Sequence, residues 1–257
     1  MRRELERISA HVKGIVDELP MDYDRGRELS VGADGTPTTD IDKLAEDEVV
    51  RYVRENEVPV NILSEEIGLV DRGEEVTLVV DPIDGTNNAI MGLPFFSVSL
   101  ALGHRSLQDV HMGLVQNLVS GETFYAEEGE GAYMDGERIR VREFDPANSL
   151  FLVYMGRWAS DATIHVAKAS ERTRSLGCAS LEMCMVALGM VDAYYMNCER
   201  YDKSIRVVDI AASTLVLREA GGEVLNLDSR PLDMRFNLEE RNNFAAVSGR
   251  EVSGVII

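Results

Sequence analysis

Apolar side chains at Leu5, Ile8, Val12, Ile15, Val16 and Leu19 recur at three- and four-residue intervals. That spacing predicts a helix over residues 4–19, closed by Pro20. A second pattern of the same period, with Leu44, Val49 and Val53 among its apolar positions, predicts a helix over 41–55. Between them lies Val31-Gly32-Ala33-Asp34-Gly35-Thr36-Pro37-Thr38, whose turn formers predict a mobile loop.

Short apolar runs follow. Val60 to Leu63 and Val76 to Val80 read as strands, and both end in acidic residues. Further strands are predicted at 96–102, 112–117 and 122–127, with a strand and hairpin turn over 129–137. No helical segment separates these later runs, so the sheet of the first half is expected to be antiparallel. The second half alternates instead. It predicts strands at 150–154, 191–196 and 223–225, and helices at 164–172, 181–188 and 209–220, the last ending in Gly221-Gly222. Alternation of this kind indicates an α/β layer. The change of rhythm places a boundary near Asp145-Pro146 and divides the chain into units 1–145 and 146–257.

Charge narrows the function. The 257 residues carry 26 basic and 45 acidic side chains, a net charge of -19, so the average surface repels a nucleic-acid backbone. No apolar run reaches the roughly 18 residues needed to span a membrane. The charged start, Met1-Arg2-Arg3-Glu4-Leu5-Glu6, lacks an apolar signal core, so the cytoplasm is the expected compartment. Cys178, Cys184 and Cys198 are expected to be reduced thiols. They form no CxxC pair, and the four histidines show no HExxH or HxH spacing, which argues against zinc.

The chemistry concentrates in Asp81-Pro82-Ile83-Asp84-Gly85-Thr86-Asn87. Asp, Pro and Gly are ordinary turn residues. Here, however, two carboxylates close a wholly apolar strand, and buried acids need a partner of opposite charge. Hard cations such as Mg²⁺ take oxygen ligands, and the turn also aims the Ile83 carbonyl at the same point. A short helix starting at Gly85-Thr86-Asn87 would add backbone N–H groups that favour phosphate. Ser64-Glu65-Glu66 forms a second acidic strand end, which also reads as a helix cap with first-turn acids.

Three segments in register, Ser64-Glu65-Glu66-Ile67-Gly68, Asp81 to Asn87, and Val208-Asp209-Ile210-Ala211-Ala212 with Glu219-Ala220-Gly221-Gly222 behind it, give the chain a clear resemblance to the inositol monophosphatase superfamily. The Gly32–Thr38 loop and the segment Gly177-Cys178-Ala179-Ser180-Leu181-Glu182-Met183-Cys184 resemble its archaeal branch. Members of that branch often hydrolyse both inositol monophosphate and fructose 1,6-bisphosphate. The resemblance implies a two-part α+β and α/β sugar-phosphatase fold, an αβαβα sandwich, and a homodimer. It implies two or three Mg²⁺ per site, with Mn²⁺ as a substitute. Glu65, Asp81 and the Ile83 carbonyl would hold one ion. Asp81, Asp84 and Asp209 would hold a second, and Asp34 would help with a third. Asp209 also reads as a helix cap, and Asp34 as a solvated turn residue. Thr86 and Asp42 would orient a water activated by metal for in-line attack, without a phosphoenzyme; Asp40 is a rival to Asp42.

For substrate, the resemblance points to Gly85, Thr86, Asn87, Gly177 and Ala179. Glu182 and Asp202 would accept hydroxyl hydrogen bonds. Arg172, Arg174, Arg200 and Lys203 would hold the second phosphate of a bisphosphate, with Tyr154 and Arg157 as possible contributors. Three positions depart from the family pattern. Ala89 stands where an aromatic is common, Val208 stands where Trp is common, and Glu199-Arg200-Tyr201-Asp202-Lys203 is more basic than in strict inositol phosphatases. The alternatives are a 3′-phosphoadenosine 5′-phosphate phosphatase and a non-catalytic regulatory homologue. The second is disfavoured because Glu65, Asp81, Asp84, Thr86 and Asp209 are all present.

Overall fold

A computed structural model describes residues 1–20 and 22–257. The chain opens with helix α1 (Arg2–Glu18), whose Leu5, Ile8, Val12 and Val16 are buried on one stripe. Strands β1 (Glu28–Val31) and β2 (Pro37–Thr39) pair as an antiparallel hairpin. The segment expected to be a mobile loop is thus largely a hairpin. Gly35 turns it at φ 86°, and Asp34 Oδ1 accepts the Thr36 backbone N–H at 2.8 Å. Helix α2 (Asp40–Glu55) follows, its N-terminus closed by Thr39 and Asp42 in a reciprocal capping box.

Next come β3 (Asn61–Ser64), β4 (Gly68–Val70), β5 (Thr77–Asp84), the short helix α3 (Thr86–Met91), β6 (Ser97–Gly103), β7 (Met112–Asn117), β8 (Thr123–Glu127), β9 (Gly131–Met134) and β10 (Glu137–Ile139). Among the described residues these strands form one eight-stranded sheet, ordered β10-β9-β8-β7-β6-β5-β3-β4. Every neighbouring pair is antiparallel except β3 and β5, which run parallel.

The remaining chain gives β11 (Leu150–Val153), α4 (Asp161–Lys168), β12 (Arg172–Arg174), α5 (Ala179–Ala187), β13 (Ala193–Met196), α6 (Val207–Glu219), β14 (Glu223–Asn226), β15 (Phe244–Val247) and α7 (Arg250–Ile256). The second sheet is mixed, ordered β12-β11-β13-β15-β14. The helix expected over 164–172 instead starts at the Ser160 cap and ends at Lys168. Residues 172–174 return to the sheet edge, parallel to β11.

Strand alternation divides the core into layers. Leu78, Val80, Leu100 and Leu102 face α1 and α2. Val79, Ala101 and Val115 face the opposite way, onto α5 and α6. These two helices fill the space between the sheets. Every residue of α6 from Val207 to Leu217 is buried, as expected for a helix covered on all sides. Beyond the second sheet, Val166 of α4 and Val252 and Ile256 of α7 cover Phe151, Val153, Ala245 and Val247. The architecture is therefore the five-layer αβαβα sandwich. Gly113 permits a close approach of α6 to the first sheet. A Cβ there would lie 2.7 Å from the Ala212 carbonyl oxygen.

Candidate active site

Strands β3 and β5 are parallel, with Ser64 in register with Val80. One residue further along each strand come Glu65 and Asp81, so both carboxylates emerge at the same sheet end. The pairing of β5 with β6 is interrupted between Asp81 and Asp84. Pro82, which donates no backbone N–H, sits in this irregularity. Asp209 arrives from elsewhere in the fold, on the first turn of α6. Oxygens from Glu65, Asp81 and Asp209 lie within 4.8 Å of one another. Glu65 and Asp81 border a cavity of about 460 Å³, also lined by Asp42, Asp84, Thr86, Asn87, Gly177, Lys203 and Arg206, and Asp209 lines an adjoining one together with Glu65 and Arg206.

Burial and mutual repulsion act on this cluster in the same direction. Burial, followed by the charges of Glu65, Asp84 and Asp209, holds the Asp81 carboxyl well above the usual range. Burial raises Glu65 to about 7, against the opposing pull of Arg206. A divalent cation would relieve both effects, and three close carboxylate oxygens suit a hard ion. The donor set therefore fits a divalent metal.

Asp84 is arranged differently. Its Oδ1 accepts the Ala179 backbone N–H at 3.2 Å, and its Oδ2 accepts the Ser180 N–H at 2.6 Å and the Cys178 thiol at 3.2 Å. It joins β5 to the start of α5 while remaining on the cavity wall. Gly85 follows at φ 90°, where a Cβ would press on Cys178, Phe95 and Phe96 at 3.2 Å. This turn presents Thr86, whose Oγ1 lies 3.0 Å from Asp42 Oδ1 and 2.9 Å from the Ile83 carbonyl oxygen. Burial raises the Asp42 carboxyl despite hydrogen bonds from Thr39 and Thr86. Its rival Asp40 pairs with Arg27, away from Thr86.

Asp34 reaches the cluster from the hairpin turn. The backbone N–H groups of Ala33 and Asp34 donate to the carbonyls of Glu66 and Glu65 at 2.9 and 3.3 Å, which ties the turn to β3. The Asp34 side chain is fully buried and accepts from Thr36 and, at 2.5 Å, from Arg206 Nη1. It is not a solvated turn residue. Burial alone would raise its carboxyl, but the Thr36 N–H and the Arg206 charge outweigh that and lower it.

Arg206 was not anticipated from the sequence. The only available signal was an arginine three residues before Asp209, at the cap position of α6. Its guanidinium also bonds Glu65 and reaches Asp209 Oδ1 at 2.7 Å.

The expected substrate residues separate into two groups. Gly177 and Lys203 line the cavity. Ala179 is buried, with its N–H committed to Asp84. Arg172 and Arg174 lie on edge strand β12 outside the lining, where Arg172 bonds Asn148 and Arg174 bonds a Thr173 carbonyl. Arg200 stacks on Trp158 at 4.9 Å and pairs with Asp202. The expected arginine cluster for a second phosphate is therefore not assembled at the cavity, because strand direction and local pairing turn these side chains elsewhere. Glu182 is also turned away. It is buried beneath the 176–177 backbone and accepts the Leu176 N–H at 2.9 Å.

The family model described as "Inositol monophosphatase family" matches residues 8–251. A fructose-1,6-bisphosphatase/inositol-1-monophosphatase of Methanothermobacter thermautotrophicus is 35% identical over 261 residues, covering 96% of this chain and 91% of its own. A bifunctional NADP phosphatase/NAD kinase of Methanococcus maripaludis is 31% identical, covering 83% of this chain but 41% of its own. A solved inositol monophosphatase-fructose 1,6-bisphosphatase superposes with a TM-score of 0.87 at 28% identity, covering 99% of this chain and 97% of that one. With the motifs, the layered fold and the acidic cavity in agreement, the chain belongs to the inositol monophosphatase family.

Proposed function

We propose that the protein is a Mg²⁺-dependent phosphoric monoester hydrolase acting on fructose 1,6-bisphosphate and myo-inositol monophosphate. The observation that carries this reading is the convergence of Glu65, Asp81 and Asp209 beside the cavity. Glu65, Asp81, Asp209 and the Ile83 carbonyl would hold the cations, with Asp84 and Asp34 contributing; Mn²⁺ would serve in place of Mg²⁺. A divalent cation bound there supplies charge neutralisation for the phosphate dianion and acidity for a coordinated water.

The chain's own groups do the rest. Thr86 donates its hydroxyl hydrogen to Asp42, which leaves an oxygen lone pair facing the cavity to accept a proton from the attacking water. Asp42, buried and raised, then takes the Thr86 proton. Gly85, Asn87 and Gly177 would border the phosphate and sugar, and Lys203 would add positive charge.

A nucleotide monoester is the second reading, favoured by the likeness to the NADP phosphatase protein. We further read the chain as units 1–145 and 146–257, a division supported by each large sheet drawing its strands from one side of that point. A cytoplasmic homodimer without nucleic-acid partners fits the family and the net charge of -19. No helix among the described residues is long and apolar enough to cross a membrane.

The test is phosphate release with Mg²⁺ from fructose 1,6-bisphosphate, inositol 1-phosphate and 3′-phosphoadenosine 5′-phosphate, with EDTA controls. Cleavage of both sugar phosphates, stopped by EDTA, is the expected result. Cleavage of the nucleotide alone would favour the second reading. No cleavage of any substrate would favour a regulatory homologue.

A further inference from the structure

Arg206 occupies the place where cations are expected. Its Nη1 reaches Asp34 Oδ2 at 2.5 Å and also bonds Glu65 Oε1. Asp209 is engaged on both oxygens. Oδ1 accepts from Nη2 at 2.7 Å and from Nε at 3.0 Å, and Oδ2 accepts the Arg206 backbone N–H at 2.7 Å. The arginine side chain is only 15% exposed. One guanidinium thus joins a hairpin turn, a strand end and a helix start, each through a carboxylate that the metal reading needs.

We propose that Arg206 is a resident cation of the acidic cluster, which divalent ions must displace before the site loads fully. The inference rests on the metal reading above. The argument is one of shared lone pairs. Oxygens already accepting from a planar, five-donor guanidinium are not free to coordinate a metal in the same direction. A divalent ion and a guanidinium among the same buried carboxylates also repel each other strongly at low dielectric. Arg241 Nη2 stands 3.7 Å from Asp34 Oδ2, so Asp34 keeps a cationic neighbour when Arg206 leaves. Arg206 also lines the open cavity, which gives its side chain room to move. Arg206 is therefore a positioning residue. It stabilises the metal-free cluster and sets the metal concentration at which the enzyme loads.

The test is Mn²⁺ binding to EDTA-treated, dialysed protein by equilibrium dialysis, together with thermal unfolding with and without Mn²⁺. R206Q is expected to bind Mn²⁺ about tenfold more tightly at its weakest site. Its Tm should fall without metal and recover towards wild type at saturation. R206K should lie between wild type and R206Q, because an ammonium cannot span the three carboxylates. Equal or weaker Mn²⁺ affinity in folded R206Q, or wild-type affinity in R206K, overturns the proposal. If R206Q does not fold, a crystal of the wild type soaked in Mn²⁺ decides. Arg206 should then stand more than about 4 Å from Asp34 or Asp209, beyond hydrogen-bond reach. An arginine still on all three carboxylates beside bound Mn²⁺ sinks the idea. Wild-type protein that binds no Mn²⁺ defeats the metal reading itself, and this proposal with it.

Discussion

The Thr86 hydroxyl oxygen stands 3.0 Å from Asp42 Oδ1, although 44 positions separate the two residues in the chain. One lies on the first turn of α3 and the other on the first turn of α2. The hydrogen bond orients a hydroxyl at the cavity wall towards a buried carboxylate, which is the geometry of a proton relay. Thr86→Ala removes the relay together with the contact to the Ile83 carbonyl. We expect kcat to fall about 10²- to 10³-fold, in the range for lost acid–base help, with KM changed far less. Steady-state kinetics at saturating Mg²⁺ check this, and a kcat within threefold of wild type would remove Thr86 from the mechanism.

Asp81 and Asp84 should respond differently to the same change. Asp81→Asn takes a charge from a repelling cluster. Turnover and metal binding should collapse, while stability in EDTA at pH 8 should rise. Asp84→Asn places an amide where three donors converge, so it should destabilise the fold by about 1–3 kcal/mol besides lowering activity. Calorimetric Mg²⁺ titration and urea unfolding of both variants separate the two effects.

The pH dependence of stability should trace in part to Glu182. Burial raises its carboxyl to about 7, above its ordinary 4.5. The folded state therefore holds that proton more tightly than the unfolded state. Stability from this group is complete below about 4.5 and is lost as pH climbs through 7. The loss is on the order of 3 kcal/mol. Urea midpoints at pH 5 and pH 8 should differ less in Glu182→Gln than in wild type; an equal difference would rule Glu182 out as the source.

Close approach at Gly113 predicts a packing defect with a functional echo. Gly113→Ala forces a methyl against the Ala212 backbone, and neither a strand nor a buried helix gives way easily. A destabilisation of about 1–3 kcal/mol is expected. Because α6 carries Asp209 and Arg206, the variant should also need more Mg²⁺ for half-maximal activity. Thermal unfolding and a Mg²⁺ titration of activity measure the two consequences.

Local chemistry made much of this protein legible from its residues. Helices α1 and α2 follow from a 3.6-residue apolar period, and β5 from an apolar run closed by Asp81-Pro82-Ile83-Asp84. The three motif segments were enough to point to the family and to Glu65, Asp81 and Asp209. The brief strands β12 and β15 went unread, since three or four residues carry too little periodicity to separate them from loop.

Tertiary structure decided what no local pattern records. The parallel register of β3 and β5 brought Glu65 beside Asp81, and the seating of α6 between two sheets delivered Asp209 to them. The same packing moved Glu182 under a loop and left Arg172 and Arg174 on a sheet edge. It also bound Arg206 to Asp34 across 172 positions. Periodicity and turn preference act over a few residues, so they specify elements and their polar ends. Which charges meet depends on how elements stack, and burial then fixes the partner, because a carboxylate removed from water must find a cation or hold a proton.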